Sequence, residues 1–147
     1  HYTYGCKDIP ALYYRSGVDT DHKLLLERTP CFIWSADGPT MKVEKTLHTA
    51  DLVPTILNLL AIESPYEYLG QDAFDPSYEG YALFPNGSWI SDGVVCVVDT
   101  DGKYDILYNE KDKLLTPDYI DRMCKTALDF IQAGNKLITT DYYGITN

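Results

Sequence analysis

The stretch HTADLVPTILNLLAI, residues 48–62, leaves this chain little choice of architecture. Leu52, Ile56, Leu59 and Leu60 recur at helical spacing, and Val53, Leu57 and Ile62 widen the stripe until little polar surface remains. Pro54 is cheap only in the opening turn of a helix, where its missing donor is least needed, and Thr49 or Asp51 stands where it can cap the free backbone N–H groups. The pattern predicts a buried helix over 50–62 that cannot stand alone in water. It assigns Asp51 to the positive end of that helix, where an anion is stabilised, rather than to catalysis.

Upstream, Thr29-Pro30 introduces CFIWSA, a compact apolar run with aromatic and β-branched members that reads as a buried strand over 31–36, ended by the turn signal Asp37-Gly38-Pro39. A strand followed by a helix predicts an α/β layer. Downstream, short strands are expected at 81–84, 88–91, 94–99 and 104–108, separated by Asn86-Gly87, Asp92-Gly93 and Asp101-Gly102. Those pairs take positive φ readily and so predict an antiparallel meander. Thr116-Pro117, an N-cap followed by proline at the first helical position, opens a last helix over 117–133. Its apolar face is Ile120, Met123, Ala127, Phe130 and Ile131, and Gly134-Asn135 is expected to end it. Residues 1–23 carry no sustained period and read as an active-site-type loop followed at most by a short helix around Ala11 to Arg15.

Composition narrows the function classes. At 147 residues, with 45% hydrophobic and 23% charged, the chain fits a single folded domain, 1–147. Twelve basic against 22 acidic residues give a net charge of −10, with no basic stripe, which argues against a nucleic-acid partner and, unless a metal ion supplies local positive charge, against anionic lipid headgroups. The 13 tyrosines suit half-buried surfaces and rims, with carbohydrate or lipid-headgroup contact as the alternative. Cys6, Cys31, Cys96 and Cys124 form no CxxC pair; free buried thiols are expected, with disulfides open if the protein is secreted. No run is long enough to span a membrane. Starting at His1 without an initiator methionine, the sequence is expected to be a piece of something longer.

The residues alone supply no catalytic apparatus: no HExxH, GxSxG, P-loop or GxGxxG occurs. His48 is read as a capping or packing residue at the helix start, His22 as a solvated loop residue and Lys7 as a surface lysine. The acidic pairs Asp99 with Asp101, and Glu110 with Asp112, lack EF-hand spacing and are read as turn chemistry or solvated surface.

HYTYG at residues 1–5, TPCFIWSAD, TADLVPTILNLLAI, YLGQDAF and ALFPNGSWI, in that order, resemble the C-terminal portion of the sulfatase-like half of lipoteichoic acid synthases and related phosphoglycerol transferases, in the alkaline phosphatase superfamily. The likeness spans residues 1–90, and residues 91–147 match only loosely. Asp-Leu-Val-Pro-Thr is its most specific piece, shared with sulfatases and phosphatases of the superfamily. The resemblance implies an α/β fold, the C-terminal portion of an alkaline-phosphatase/sulfatase-like sandwich with a short antiparallel meander and a C-terminal helix. It implies that His1 is a ligand of a catalytic divalent metal ion, manganese or magnesium in the transferases. The aspartate that precedes this histidine in the family, the threonine nucleophile and a further acidic ligand are not in this sequence.

For the parent protein the resemblance implies an extracytoplasmic, membrane-anchored enzyme, acting at the extracellular face of the cell membrane on a lipid- or glycan-linked phosphoglycerol substrate. The remaining N-terminal part of the catalytic domain is then this chain's partner. A sulfatase acting on sulfated glycans and a non-catalytic cell-wall glycan-binding module are the alternatives.

Overall fold

The structure is a computed structural model and describes residues 29–38, 40–109 and 114–144. The chain divides into two compact units, His1–Met41 and Lys42–Asn147. In the first, the expected strand over 31–36 does not form: these residues are without regular structure, and Phe32 and Trp34 are 89% and 85% exposed. An apolar run becomes a buried strand only when a neighbouring strand takes up its backbone hydrogen bonds, and among the described residues none pairs with it. The turn at 36–37 is present, with the Gly38 N–H donating to the Ser35 carbonyl at 3.4 Å.

The second unit opens with a single 3-10 turn, Thr49–Asp51, that runs into helix α1, Leu52–Leu59. This helix is three residues shorter at its C-terminus than expected: Ala61, at φ 51°, turns the chain out, and the Ile62 N–H donates back to the Leu57 carbonyl at 2.9 Å. Four strands follow, β1 (Ala82–Leu83), β2 (Trp89–Ser91), β3 (Val94–Val98) and β4 (Tyr104–Asn109), paired antiparallel in sequence order. The meander forms at the turns the sequence marked. Asp92 and Gly93 have φ of 45° and 77°, the two successive positive angles that a two-residue hairpin needs between Ser91 and Val94. Register is continuous from β1 to β3, and a bulge at Val95/Cys96 leaves Leu107 of β4 unpaired.

Helix α2, Pro117–Thr139, begins as predicted, with the Thr116 hydroxyl accepting from the Tyr119 N–H at 3.2 Å. It runs past Gly134-Asn135 to Thr139: glycine or asparagine inside a helix costs only about 1 kcal/mol or less against alanine, and neither residue ends it. Ile120, Met123 and Ala127 on α2 are buried, and Met123 and Ala127 share one core with Leu83, Trp89, Val94 and Cys96 of the sheet. Tyr81, Ile106, Leu115, Tyr119, Cys124 and Phe130 pack around it. A sheet one face of which is covered by an amphipathic helix is the layered solution expected of these periodicities. Among the described residues no helix is long and apolar enough to cross a membrane.

Candidate functional site

The Asp51 carboxylate is buried and accepts three hydrogen bonds. Its Oδ2 accepts from the His48 N–H and from the Tyr78 hydroxyl, each at 2.8 Å, and its Oδ1 accepts from the Gln71 N–H at 2.9 Å. One turn on, the Thr55 hydroxyl donates to the Asp51 carbonyl at 2.6 Å and accepts from the Ala73 N–H at 2.9 Å. Asn58 Nδ2 donates to Asp72 Oδ2 at 2.7 Å. Gly70 lies so close to this turn that a Cβ would fall 2.1 Å from the Ala50 carbonyl oxygen. The TADLVPT and YLGQDAF stretches are therefore bonded to one another, through an acid, a hydroxyl and a glycine whose residue types the contacts demand.

His48, not Thr49, is the cap. Its Nδ1 accepts from the Ala50 N–H at 3.1 Å, and with the Asp51 carboxylate on its own N–H it completes a capping box. The His48 ring meets Phe130 of α2 edge-on, centroids 4.9 Å apart. With Nδ1 spent on a backbone donor and the ring on packing, His48 has the capping and packing role expected of it. Asp51 likewise serves the helix start. Asp99 proves to be turn chemistry: its Oδ1 accepts from the Asp101 and Lys103 N–H groups at 2.9 and 2.8 Å, across the Asp101-Gly102 turn. His1, Lys7, His22, Cys6, Glu110 and Asp112 lie outside the described residues, as does the stretch from Ala11 to Arg15. Among the described ones, no three His, Cys, Asp or Glu side chains converge as a metal site.

Tyr78 was not singled out by any sequence signal, since its partner is 27 positions away and no local period marks it. Burial first, and then the Asp51 carboxylate, push its phenol well above the usual tyrosine range, so the proton stays on Tyr78 and is held toward Asp51. Beside it lies an open polar hollow of about 200 Å³, lined by Gln71, Ser77, Tyr78, Glu79, Tyr81 and Arg122. Its groups largely satisfy one another: Arg122 faces Glu79 at 3.4 Å and the Tyr119 ring at 5.3 Å, and Gln71 Nε2 donates to the Tyr81 hydroxyl at 3.2 Å. Two hydroxyls in its lining are bonded to carboxylates, Ser77 to Asp75 at 2.7 Å and Tyr78 to Asp51 at 2.8 Å; the Ser77 bonds hold the Asp75 carboxyl below its ordinary value, which makes it a weak base.

The tyrosines Tyr66, Tyr68, Tyr142 and Tyr143 form a second cluster, ring centroids 4.9–6.3 Å apart. The hydroxyls of Tyr68, Tyr142 and Tyr143 are engaged at the rim. The Glu67 N–H donates to the Tyr142 hydroxyl at 3.2 Å, the Tyr143 hydroxyl donates to the Glu67 carbonyl at 2.9 Å, and Tyr68 shares a 2.8 Å hydrogen bond with Ser64. These four tie the turn after α2 to the loop after α1, the rim packing expected of phenols.

Comparison of the chain with protein-family models, with curated proteins and with solved structures yields no match.

Proposed function

We propose that this chain is the C-terminal part of the catalytic domain of a metal-dependent phosphoglycerol transferase or hydrolase of the sulfatase-like family. The observation that carries the reading is the bonding of TADLVPT to YLGQDAF: the stretches that bear the resemblance meet through Asp51, Thr55 and Gly70. A second support is that the apolar side of α1 is uncovered, with Val53, Ile56, Leu59 and Leu60 all exposed. In this reading the remaining N-terminal part of the domain covers that side, and the membrane anchor lies in other segments of the parent.

His1 is the proposed ligand of a divalent ion, manganese or magnesium. Such an ion, when bound, lowers the pKa of a hydroxyl nucleophile and neutralises charge developing on the phosphoryl group. The part assigned to the described residues is to position: Asp51, Thr55 and Gly70 fix the start of α1 against the 70–73 segment. The substrate is a lipid- or glycan-linked phosphoglycerol on the extracellular face of the membrane.

The test is His1→Ala in the full protein, which is expected to lower manganese affinity and turnover together; unchanged turnover would remove His1 from the site. Isolated chain titrated with manganese and with wall polymers separates the rival reading. Polymer binding indifferent to metal would support a glycan-binding module and overturn the transferase assignment.

A further inference from the structure

Of Asn58, Asn86, Asn109, Asn135 and Asn147, only Asn86 is followed by glycine. That order matters chemically, because the backbone nitrogen of the next residue can attack the side-chain amide carbon, and glycine has no side chain to shield its nitrogen. Asn86 is exposed to water in the turn between β1 and β2, while Gly87 beside it is buried. We propose that Asn86 is a site of spontaneous deamidation, held as the amide while the turn lies on β3 and converted to aspartate or isoaspartate when the turn lifts.

The native turn keeps the reacting groups occupied. Asn86 Nδ2 donates to the Val98 carbonyl at 3.1 Å, and its Oδ1 accepts from the Ser88 N–H at 3.1 Å. The nucleophile, the Gly87 nitrogen, donates its N–H to the Phe84 carbonyl at 2.9 Å. The buried Ser88 hydroxyl accepts from the Val98 N–H at 2.9 Å, and a Cβ on Gly87 would lie 3.8 Å from Val98 Cγ2, so the turn rests on the end of β3. Attack on the side-chain carbon requires the amide to leave Val98 and Ser88 and the Gly87 N–H to leave Phe84. Such an opening is local: β1 pairs with β2 only at Ala82 and Leu83, so little ladder holds the base of the turn, and the β3 to β4 pairing is not involved.

Once the turn lifts, the Gly87 nitrogen gives its proton to hydroxide and bonds to Asn86 Cγ. The Cγ–Nδ2 bond breaks, and ammonia leaves with a proton taken from water, which restores the hydroxide and closes a succinimide ring. Water then opens either ring carbonyl, giving aspartate at one and isoaspartate at the other, with no further reactant. The product does not resettle on β3. Its carboxylate has no donor for the Val98 carbonyl, so oxygen faces oxygen, and it adds negative charge to a chain already at −10. Isoaspartate also lengthens the backbone inside the turn.

The chain aged in alkaline buffer, both folded and in urea above its unfolding midpoint, gives the test, read by peptide mapping and enzymatic methylation of isoaspartate. In urea, Asn86 is expected to deamidate ahead of Asn58, Asn109 and Asn135, and Gly87→Ala should slow it there, where the fold plays no part. Folded, the same conversion should run roughly tenfold slower, because hydrogen bonds of ordinary net strength are given up first. Asn86→Asp should lower the thermal midpoint of the fresh chain by about 3 °C, the loss of one hydrogen bond. Asn86 converting no faster than the other three in urea, equal rates folded and unfolded, a rate in urea indifferent to Gly87→Ala, or an Asn86→Asp midpoint equal to the parent's would each overturn the proposal.

Discussion

Replacing Asp51 with asparagine changes almost no volume and sets a hydrogen-bonding problem with no solution. The carboxylate accepts from three donors, two at Oδ2 and one at Oδ1. An amide offers one acceptor oxygen and one NH₂ donor. With its oxygen toward Gln71, the NH₂ opposes the His48 N–H; flipped, the oxygen serves His48 and Tyr78 while the NH₂ opposes the Gln71 N–H. Either way one backbone donor in a buried setting faces another donor, and the remaining bonds lose their charge. A buried group left unsatisfied costs about 1–3 kcal/mol and charge-assisted bonds are worth about 1.5–3 kcal/mol, so Asp51→Asn should destabilise by about 2–3 kcal/mol. With a urea dependence of about 2 kcal/mol per molar, the midpoint falls by roughly 1 M, read from the fluorescence of buried Trp89. Tyr78→Phe removes one donor only and should cost about 1 kcal/mol, less in the Asp51→Asn background because the two share a bond. A midpoint for Asp51→Asn within about 0.3 M of the parent would refute the role given to this carboxylate.

Gly70→Ala places a methyl 2.1 Å from the Ala50 carbonyl oxygen, a backbone atom that cannot swing aside, so the 70–73 segment must part from α1. A loss of about 3 kcal/mol or more in urea unfolding is expected, and a loss below about 1 kcal/mol would show that the two segments are not in contact. The buried Cys96 thiol and Tyr78 phenol are both held neutral by the fold, above reference values of 9.0 and 10.0. The unfolded chain therefore ionises first, so in reducing buffer stability is fully present below about pH 9 and declines toward about pH 12. Cys96→Ala should flatten the first part of that decline; a parent profile flat from about pH 8 to about pH 11 would contradict the burial of both groups.

What the sequence reveals depends on how far apart the cooperating residues are. The Asp92-Gly93 hairpin and the Thr116-Pro117 helix start are legible because positive φ, a side-chain cap and a proline at the first turn are local requirements, met by the residues themselves. The far end of α2 is not: a Gly-Asn pair can end a helix or be carried inside one at a cost of about 1 kcal/mol, and the local sequence is the same in both cases. CFIWSA advertises burial through its composition, yet a strand exists only if another strand accepts its ladder, and that partner is not written in the run. Asp51 was legible as an anion at a helix start, whereas Tyr78 and the Gln71 N–H, which decide its energetics, were not.

Helix α1 holds these two kinds of information at once. Its sequence is apolar nearly all round, as a helix buried between layers should be. The contacts that fix it here are polar ones, however: Thr55 is its buried residue, and Asp51, Thr55 and Asn58 tie it to the 71–73 segment. Its large side chains remain partly in water, Leu59 by 43% and Val53 by 46%. Covering each such side chain is worth on the order of 1 kcal/mol, so this face is where further apolar contact would add most to the stability of the unit. A polar anchor on one side and an unfilled apolar face on the other is what the proposed reading requires of α1: a helix positioned by this chain for another layer of the domain to cover.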